Sequence, residues 1–294
     1  MGPIYILSKG RPYCMTADAL RSMSNPADFL IVCGSDDATV PEYVENFGSE
    51  NVIVFDHDKW WEDSDMMDAY GRSKASGISP VRNFIAWHAR SNGLDRCWQL
   101  DDDIAEFKFV SPSGVESIHD GNRLVDIASA VEDYARSGNI RTIGFTAWES
   151  TPEMCMKVGH EVCTIHNTST EGKPYRARIF EDAVRMFDSL RVGEIQYQVA
   201  FLAGVVGNDW YGRSLSEKSL DGGMKEQYDD IADNNHDNDG LNAVNVRNVG
   251  YTTMALPMAN VLEVDVRKNR CRKRYHDRKY RPKVIRVDWA KNEE

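Results

Sequence analysis

The chain has 294 residues, 41% of them hydrophobic and 10% aromatic, so it can bury a sizeable core, and collagen-like and wholly disordered classes are excluded. Its 35 Lys and Arg against 46 Asp and Glu give a formal charge of −11, which excludes a protein that coats nucleic acid with its whole surface. The charge is unevenly divided: from Arg267 onward there are 12 basic and 4 acidic residues, a balance of +8, which leaves −19 for Met1 to Val266.

In chain order, Ile4 to Leu7 is a short apolar run that reads as a strand, stopped by the loop Ser-Lys-Gly-Arg-Pro. A helix is expected over Met15 to Met23. Phe29 to Cys33 and Val52 to Phe55 are continuously apolar and rich in β-branched residues, with a helix beginning near Pro41 between them, so they read as parallel strands covered on both faces. Ser79-Pro80 opens a helix to Asn92, closed by Gly93, with Val81, Phe84, Ile85, Trp87 and His88 as its apolar set. Cys97 to Leu100 is a fourth strand, ending in Asp101-Asp102-Asp103. Ligands of open parallel sheets bind beyond the carboxyl ends of the strands, so three carboxylates fall where a substrate is expected.

A helix over Leu124 to Ser137 and a strand over Arg141 to Trp148 follow. Val158 to His166 and Ile195 to Leu202 alternate as strands do, with a helix over Phe180 to Leu190 between them. Asp221 to Asn242, rich in Gly, Asp and Asn, reads as a long polar loop near a site. No stretch approaches the roughly 18 apolar residues that span a bilayer, and the basic residues of MGPIYILSKGRP follow its apolar run, which is the wrong order for a signal peptide. Six cysteines without a C-x-x-C pair fit reduced thiols. The expectation is a cytoplasmic protein with no membrane partner.

The strongest chemical feature is Asp101-Asp102-Asp103. A hard divalent cation needs carboxylate oxygens, and two aspartates separated by one residue past a strand end can reach one ion. Bound Mg²⁺ or Mn²⁺ would neutralise charge building up on a nucleoside-diphosphate leaving group. A solvated acidic turn is the alternative. Cys155, His160, Cys163 and His166 form C-x4-H-x2-C-x2-H, but if Val158 to His166 is one strand, Cys163 faces away from both histidines and a tetrahedral zinc site does not close.

The strand ending in Ser-Lys-Gly-Arg-Pro, the Pro-Val-Arg-Asn helix and the strand ending in Leu-Asp-Asp-Asp resemble the nucleotide-binding half of GT-A glycosyltransferases. Within that class the chain looks most like the phage and bacterial TET/JBP-associated DNA glycosyltransferases. The resemblance covers roughly residues 2–104 with usable motifs and runs more loosely to about residue 266. It implies an α/β, Rossmann-like mixed sheet flanked by helices, with a smaller acceptor-binding half. The implied divisions are a domain over 1–266 (a nucleotide-sugar half, 1–104, and an acceptor half, 105–266) and a basic segment over 267–294.

The resemblance also implies roles. Ser8, Lys9 and Arg11 would lie against the nucleotide, Asp36 and its neighbour Asp37 near the base or ribose, and Arg82 and Asn83 beside the sugar nucleotide. Asp101 would contact ribose or sugar and the metal, and Asp103 the metal; the triple aspartate leaves the register open by one, so Asp102 is a further candidate for the donor. Glu181 and Asp182 resemble the element that supplies the catalytic base, although both acids also suit the positive end of a helix. His236 would be the late metal ligand, or else a histidine of a surface loop.

The implied reaction moves a sugar from a nucleotide sugar, a UDP-sugar, to a hydroxymethylated pyrimidine such as 5-hydroxymethylcytosine in DNA, with Mn²⁺ or Mg²⁺, in the host cytoplasm if the chain is phage-encoded. Extruding that nucleotide needs an aromatic pocket, for which Trp60, Trp61, Trp148 and Trp210 are candidates. The basic segment, with Arg270, Arg272, Lys273, Arg274, Arg278, Lys279 and Arg281, is expected to meet DNA phosphates, to clamp onto the acidic body, or to stay free. Rival readings keep the fold with a glycan, lipid or protein acceptor, or make the chain a nucleotidyltransferase or a non-catalytic DNA-binding protein. The sugar, the stereochemistry and the oligomeric state are not legible.

Overall fold

The computed structural model describes residues 1–64, 78–111, 113–146, 155–158, 162, 164–176, 181–194, 196–206, 262–265, 270–273 and 284–286. Four strands open the fold: β1 (Ile4–Leu7), β2 (Phe29–Gly34), β3 (Val52–Phe55) and β4 (Arg96–Asp101). Their spatial order is β3-β2-β1-β4, every pair parallel. The continuously apolar runs follow from this placement: β1 is buried at all four positions, whereas the edge strand β3 leaves Val54 exposed.

Helices cover both faces. On one side lie α1 (Met15–Arg21), α2 (Val40–Phe47) and α5 (Gly121–Ser137), and on the other α3 (His57–Asp63) and α4 (Ser79–Ser91). Strand alternation splits the core accordingly. Ile4, Ile6, Trp98 and Leu100 pack with Leu20, Tyr43 and Val131, while Tyr5, Leu7 and Cys97 pack with Val81, Phe84 and Ile85. Gln99 and Asp101, two and four residues beyond Cys97, therefore share the α4 face. Pro80 sits in the first turn of α4, where no intrahelical N–H is needed, and Gly93 at φ 80° ends it.

Beyond β4 the sheet turns mixed. β9 (Ile165–Ser169) runs antiparallel to both β4 and β7 (Thr142–Thr146), and β10 (Gln196–Val206) runs parallel to β7. The long β10 pairs with β8 (Cys155–Val158) near its start and with β5 (Ile104–Ser111) near its end, and β5 carries β6 (Gly114–Ser117). Helix α6 (Glu181–Arg191) precedes β10. A hairpin of β11 (Leu262–Asp265) and β12 (Arg270–Lys273) stands apart from this sheet, while β13 (Val284–Arg286) joins its edge against β8. This is the mixed α/β sheet flanked by helices that the GT-A resemblance implies. Among the described residues, no helix is long and apolar enough to cross a membrane.

Several sequence expectations need correction. Val158 to His166 is not one strand: Val158 ends β8 and Ile165 begins β9, two strands with different partners, so the facing argument made for a zinc site has no strand to rest on. Alternation over nine residues concealed a break between two strands that lie in different parts of the sheet. Helix α3 and strands β5 and β6 were not expected. Trp87, expected on the apolar face of α4, is 52% exposed.

Candidate active site

The chain builds β1, β2 and β3 outward in one direction and then returns to place β4 on the other side of β1. The crevice between the carboxyl ends of β1 and β4, where Leu7 is registered with Asp101, is thus the topological switch point at which open α/β sheets bind ligands. Two segments leave the sheet there: the loop Ser8 to Arg11 and the Asp101 to Asp103 turn.

Asp102 ties them together. It is 7% exposed, its Oδ2 accepts from the Ser8 hydroxyl, and its Oδ1 accepts from Arg11 Nη1 at 2.6 Å. The loop is also pinned by the turn after β2 and by α2. Lys9 Nζ donates to Asp36 Oδ2 at 2.8 Å, Gly10 N donates to Asp37 Oδ2 at 2.8 Å, and Arg11 N donates to the Tyr43 hydroxyl at 2.8 Å. Gly10 takes φ 66°, a conformation that favours glycine, which lets consecutive residues of the loop turn toward different partners. The other carboxylate oxygen of Asp37 accepts from the backbone and hydroxyl of Thr39, so Asp37 anchors the start of α2 as well as the loop.

The neighbouring carboxylates meet a different partner. Arg82, 1% exposed, donates from Nη2 to Asp101 Oδ1 at 3.1 Å, and its Nε lies 3.8 Å from Glu181 Oε1. Glu181, at the first turn of α6, is brought to β4 by this single guanidinium. Burial opposes the charge of Arg82, but Asp182, Asp101, Tyr175 and Glu181 outweigh it and raise its pKa. Burial likewise pushes the Asp101 and Glu181 carboxyls upward, against the pull of Arg82 on both, and Asp182 hydrogen-bonds to Glu181.

Asp103 differs from both neighbours. Its Oδ1 is buried with no hydrogen-bond partner, and burial, then Asp101 and Asp102, pushes its pKa up to about 7. A buried carboxylate oxygen without a donor, beside a second carboxylate, is a donor set that suits a hard cation. Among the described residues, no group of three or more His, Cys, Asp or Glu is gathered to hold a metal ion. The expected third ligand, His236, lies outside the described residues, as do Arg274, Arg278, Lys279 and Arg281 of the basic segment, together with Trp148, Trp210, His160 and Cys163. Arg270, Arg272 and Lys273 fall on β12.

Asn83 takes a part the motif did not suggest. Its amide nitrogen donates to the Tyr175 carbonyl at 2.8 Å and to Ser64 Oγ at 2.9 Å, while its oxygen accepts from Tyr175 N at 2.8 Å, so the carboxamide clips the segment before α6 onto α4. The clip sets Tyr175 beneath the ion-pair cluster. The Tyr175 hydroxyl lies 2.9 Å from His166 Nε2 and accepts from Arg185 Nη1 at 2.9 Å, and its ring lies under Arg185 at 4.4 Å and Arg82 at 5.4 Å. Tyr175 and Arg185 were absent from the sequence candidates, and His166 was weighed there only as a zinc ligand. Their partners come from β9, α4 and α6, so no local spacing announces them. Trp61 is 4% exposed and belongs to the core, whereas Trp60 reaches the surface beside Trp87.

The geometry therefore gathers Ser8, Arg11 and Asp102 in one knot and Arg82, Asp101, Glu181 and Asp182 in a second, with Asp103 next in the chain and under the influence of Asp101 and Asp102. A family model described as TET-Associated Glycosyltransferase matches residues 2–169, a span that holds β1 to β9 and all three aspartates. No curated protein sequence matches the chain significantly. Among solved structures, a protein described as a nucleotide-diphospho-sugar transferase from Desulfovibrio desulfuricans G20 aligns over 80% of this chain and 98% of its own, at 10% identity and a TM-score of 0.38. A CMP:2-keto-3-deoxy-manno-octonic acid synthetase complexed with CTP aligns over 71% and 95%, at 10% identity and a TM-score of 0.39. Likeness at that level bears on neither substrate nor mechanism.

Proposed function

The chain belongs to the TET-Associated Glycosyltransferase family, and on that premise we propose that this glycosyltransferase moves a sugar from a UDP-sugar to the hydroxyl of a hydroxymethylated pyrimidine in DNA. The observation that carries this reading is the buried cluster in which Arg82 joins Asp101, at the end of β4, to Glu181, at the start of α6. It sets a carboxylate fit for donor handling beside one fit for proton transfer.

Each residue then has a task. Lys9 and Arg11 present cations to the donor diphosphate, and the 41% exposed carboxylate of Asp36 is accessible to the nucleoside. Asp102 holds that loop in place. Arg82 orients Asp101 and Glu181 toward one space. Glu181, hydrogen-bonded to Asp182 and raised in pKa by burial, accepts the proton of the hydroxymethyl group as its oxygen attacks the anomeric carbon; the nucleoside diphosphate leaves with the bonding pair. Asp101 and Asp103 are the residues that would hold Mn²⁺ or Mg²⁺, with His236 as the expected further ligand, and such an ion supplies neutralisation of charge on the departing diphosphate.

The test incubates the protein with a panel of nucleotide sugars and hydroxymethylated DNA, then weighs the digested nucleosides. A gain of one anhydrosugar is the expected result. Nucleoside-diphosphate release without that gain refutes the DNA acceptor and leaves a glycan, lipid or protein, whereas pyrophosphate release points to nucleotidyl transfer. Asp103→Ala is expected to abolish divalent-dependent transfer while keeping the fold, and full activity in that variant refutes the metal assignment.

A further inference from the structure

A groove separate from the switch-point crevice runs along α4. It encloses about 290 Å³ between that helix, the end of β9 and the segment 172–176, and it begins at Arg82, beside the reacting carboxylates. From Arg82 to Arg90 the helix rises about 12 Å, the length of roughly three nucleotides of a duplex strand. In a chain of formal charge −11, the groove is lined by Arg82, Arg90, Lys173, Arg176 and Arg185 and, among the described residues, by no carboxylate.

Lys173 and Arg90 carry the part of that charge that is open to a ligand. Lys173 makes no ion pair with any described residue. Arg90, 63% exposed, has only a surface contact with Glu171 at 3.8 Å; Arg185, 3% exposed, donates to neutral oxygens of Lys173, Tyr175 and Thr168 and adds its charge from beneath the wall. Arg176 is held by Asp188 at 2.7 Å and contributes less.

Two further features point to nucleotides rather than to simple anions. Trp87 is 52% exposed at the groove, yet its ring is braced by Trp60 at 5.5 Å and Phe84 at 5.9 Å, which makes a fixed platform with a wet face. At the floor, Gln99 is fully buried and its Oε1 has no hydrogen-bond partner, an acceptor waiting for an N–H or O–H donor. Cations along the walls, an aromatic platform and a buried acceptor together match a polynucleotide's phosphates, bases and exocyclic amines.

We propose that this groove is the track for the acceptor polynucleotide, with Lys173 and Arg90 on its phosphates and Trp87 stacking a base next to the one being modified. The proposal rests on the DNA acceptor argued above and places the strand on the enzyme body, leading to Arg82 and Glu181, instead of on the basic segment.

The test uses the full chain and a fluorescein-labelled, unmodified single-stranded oligodeoxynucleotide, with anisotropy read at several salt concentrations. Arg90→Gln with Lys173→Gln is expected to weaken binding roughly tenfold at low salt and to lower the slope of log K against log salt by about 1 to 2. Trp87→Ala is expected to weaken it by roughly tenfold as well. Acceptor-free hydrolysis of the nucleotide sugar stays at the wild-type rate in these variants, and a parallel fall in hydrolysis overturns the assignment. Wild-type binding in all of them, with loss only when Arg278, Lys279 and Arg281 are changed to Gln, places DNA on the basic segment and overturns the groove while the acceptor reading stands. If the wild type binds no oligonucleotide and adds no sugar to hydroxymethylated DNA, both fall.

Discussion

Replacing Arg82 with Met removes one guanidinium and leaves three carboxylates, Asp101, Glu181 and Asp182, without their shared cation. Arg82 is 1% exposed, 3.1 Å from Asp101 and 3.8 Å from Glu181, so water cannot take its place without opening the core between α4 and β4. Breaking a buried ion pair from one side costs about 3–5 kcal/mol, which for a domain of this size is a fall in Tm of roughly 10 °C. The loss depends on pH in a defined direction. Arg82 lowers the pKa values of Asp101 and Glu181, which burial raises. Without it both rise further above the unfolded values near about 4, so the folded variant keeps protons that the unfolded chain releases. The variant's stability then falls as pH rises through those raised values, and its deficit against the wild type is smallest in acid and fullest above them. Urea unfolding of both proteins at about pH 5 and about pH 8 reads this out, and adding Asp101→Asn to Arg82→Met should recover part of the loss near neutrality. A deficit below about 1 kcal/mol, or one equal at the two pH values, refutes the buried ion-pair account.

Three other substitutions probe the site and its surroundings. Asp102→Asn removes the charge that holds Ser8 and Arg11; steady-state kinetics should show a roughly tenfold rise in KM for the nucleotide sugar, with kcat changing less, and an unchanged KM counts against the loop as a donor element. Glu181→Gln should lower transfer to the acceptor by roughly 100-fold or more while donor affinity persists, and near-normal transfer would pass the base role to Asp182. His88, whose pKa burial lowers, bonds Tyr5 on the α4 face; the unfolded chain takes up a proton near about 6.5 while the folded chain resists it, so stability falls as pH drops below that value. His88→Asn should flatten part of that slope, as measured by urea midpoints at about pH 7 and about pH 5.

The four parallel strands and the helices α1, α2, α4 and α5 were legible because each is a local pattern: short β-branched runs, a 3.6-residue stripe, Pro80 near a helix start and Gly93 past its end. The carboxylates of Asp101 to Asp103 were legible for the same reason, as a charged turn that interrupts an apolar run. Local pattern failed where neighbours came from elsewhere. Val158 to His166 alternates correctly for a strand and is two, since only the pairing of β8 with β10 and of β9 with β4 separates them. Trp87 looked like core, but the side of α4 it occupies borders a groove and not a packed layer.

The sequence by itself determined the class of the sheet, the family and the turn on which the chemistry is expected to sit, because those depend on periodicity and on residues adjacent in the chain. Only the tertiary structure decided how the three aspartates divide their tasks. Asp102 is engaged by Ser8 and Arg11, Asp101 by Arg82, and Asp103 keeps an oxygen without a partner. Tertiary contact also brought Glu181 to Arg82 from 99 positions further along the chain and gathered Arg90, Lys173 and Arg185 into one groove with Trp87 in a protein of −11 charge. The physical reason is the same in each case: a carboxylate's role is set by the donors, burial and charges that surround it, and folding supplies those from segments whose sequence carries no mark of the encounter.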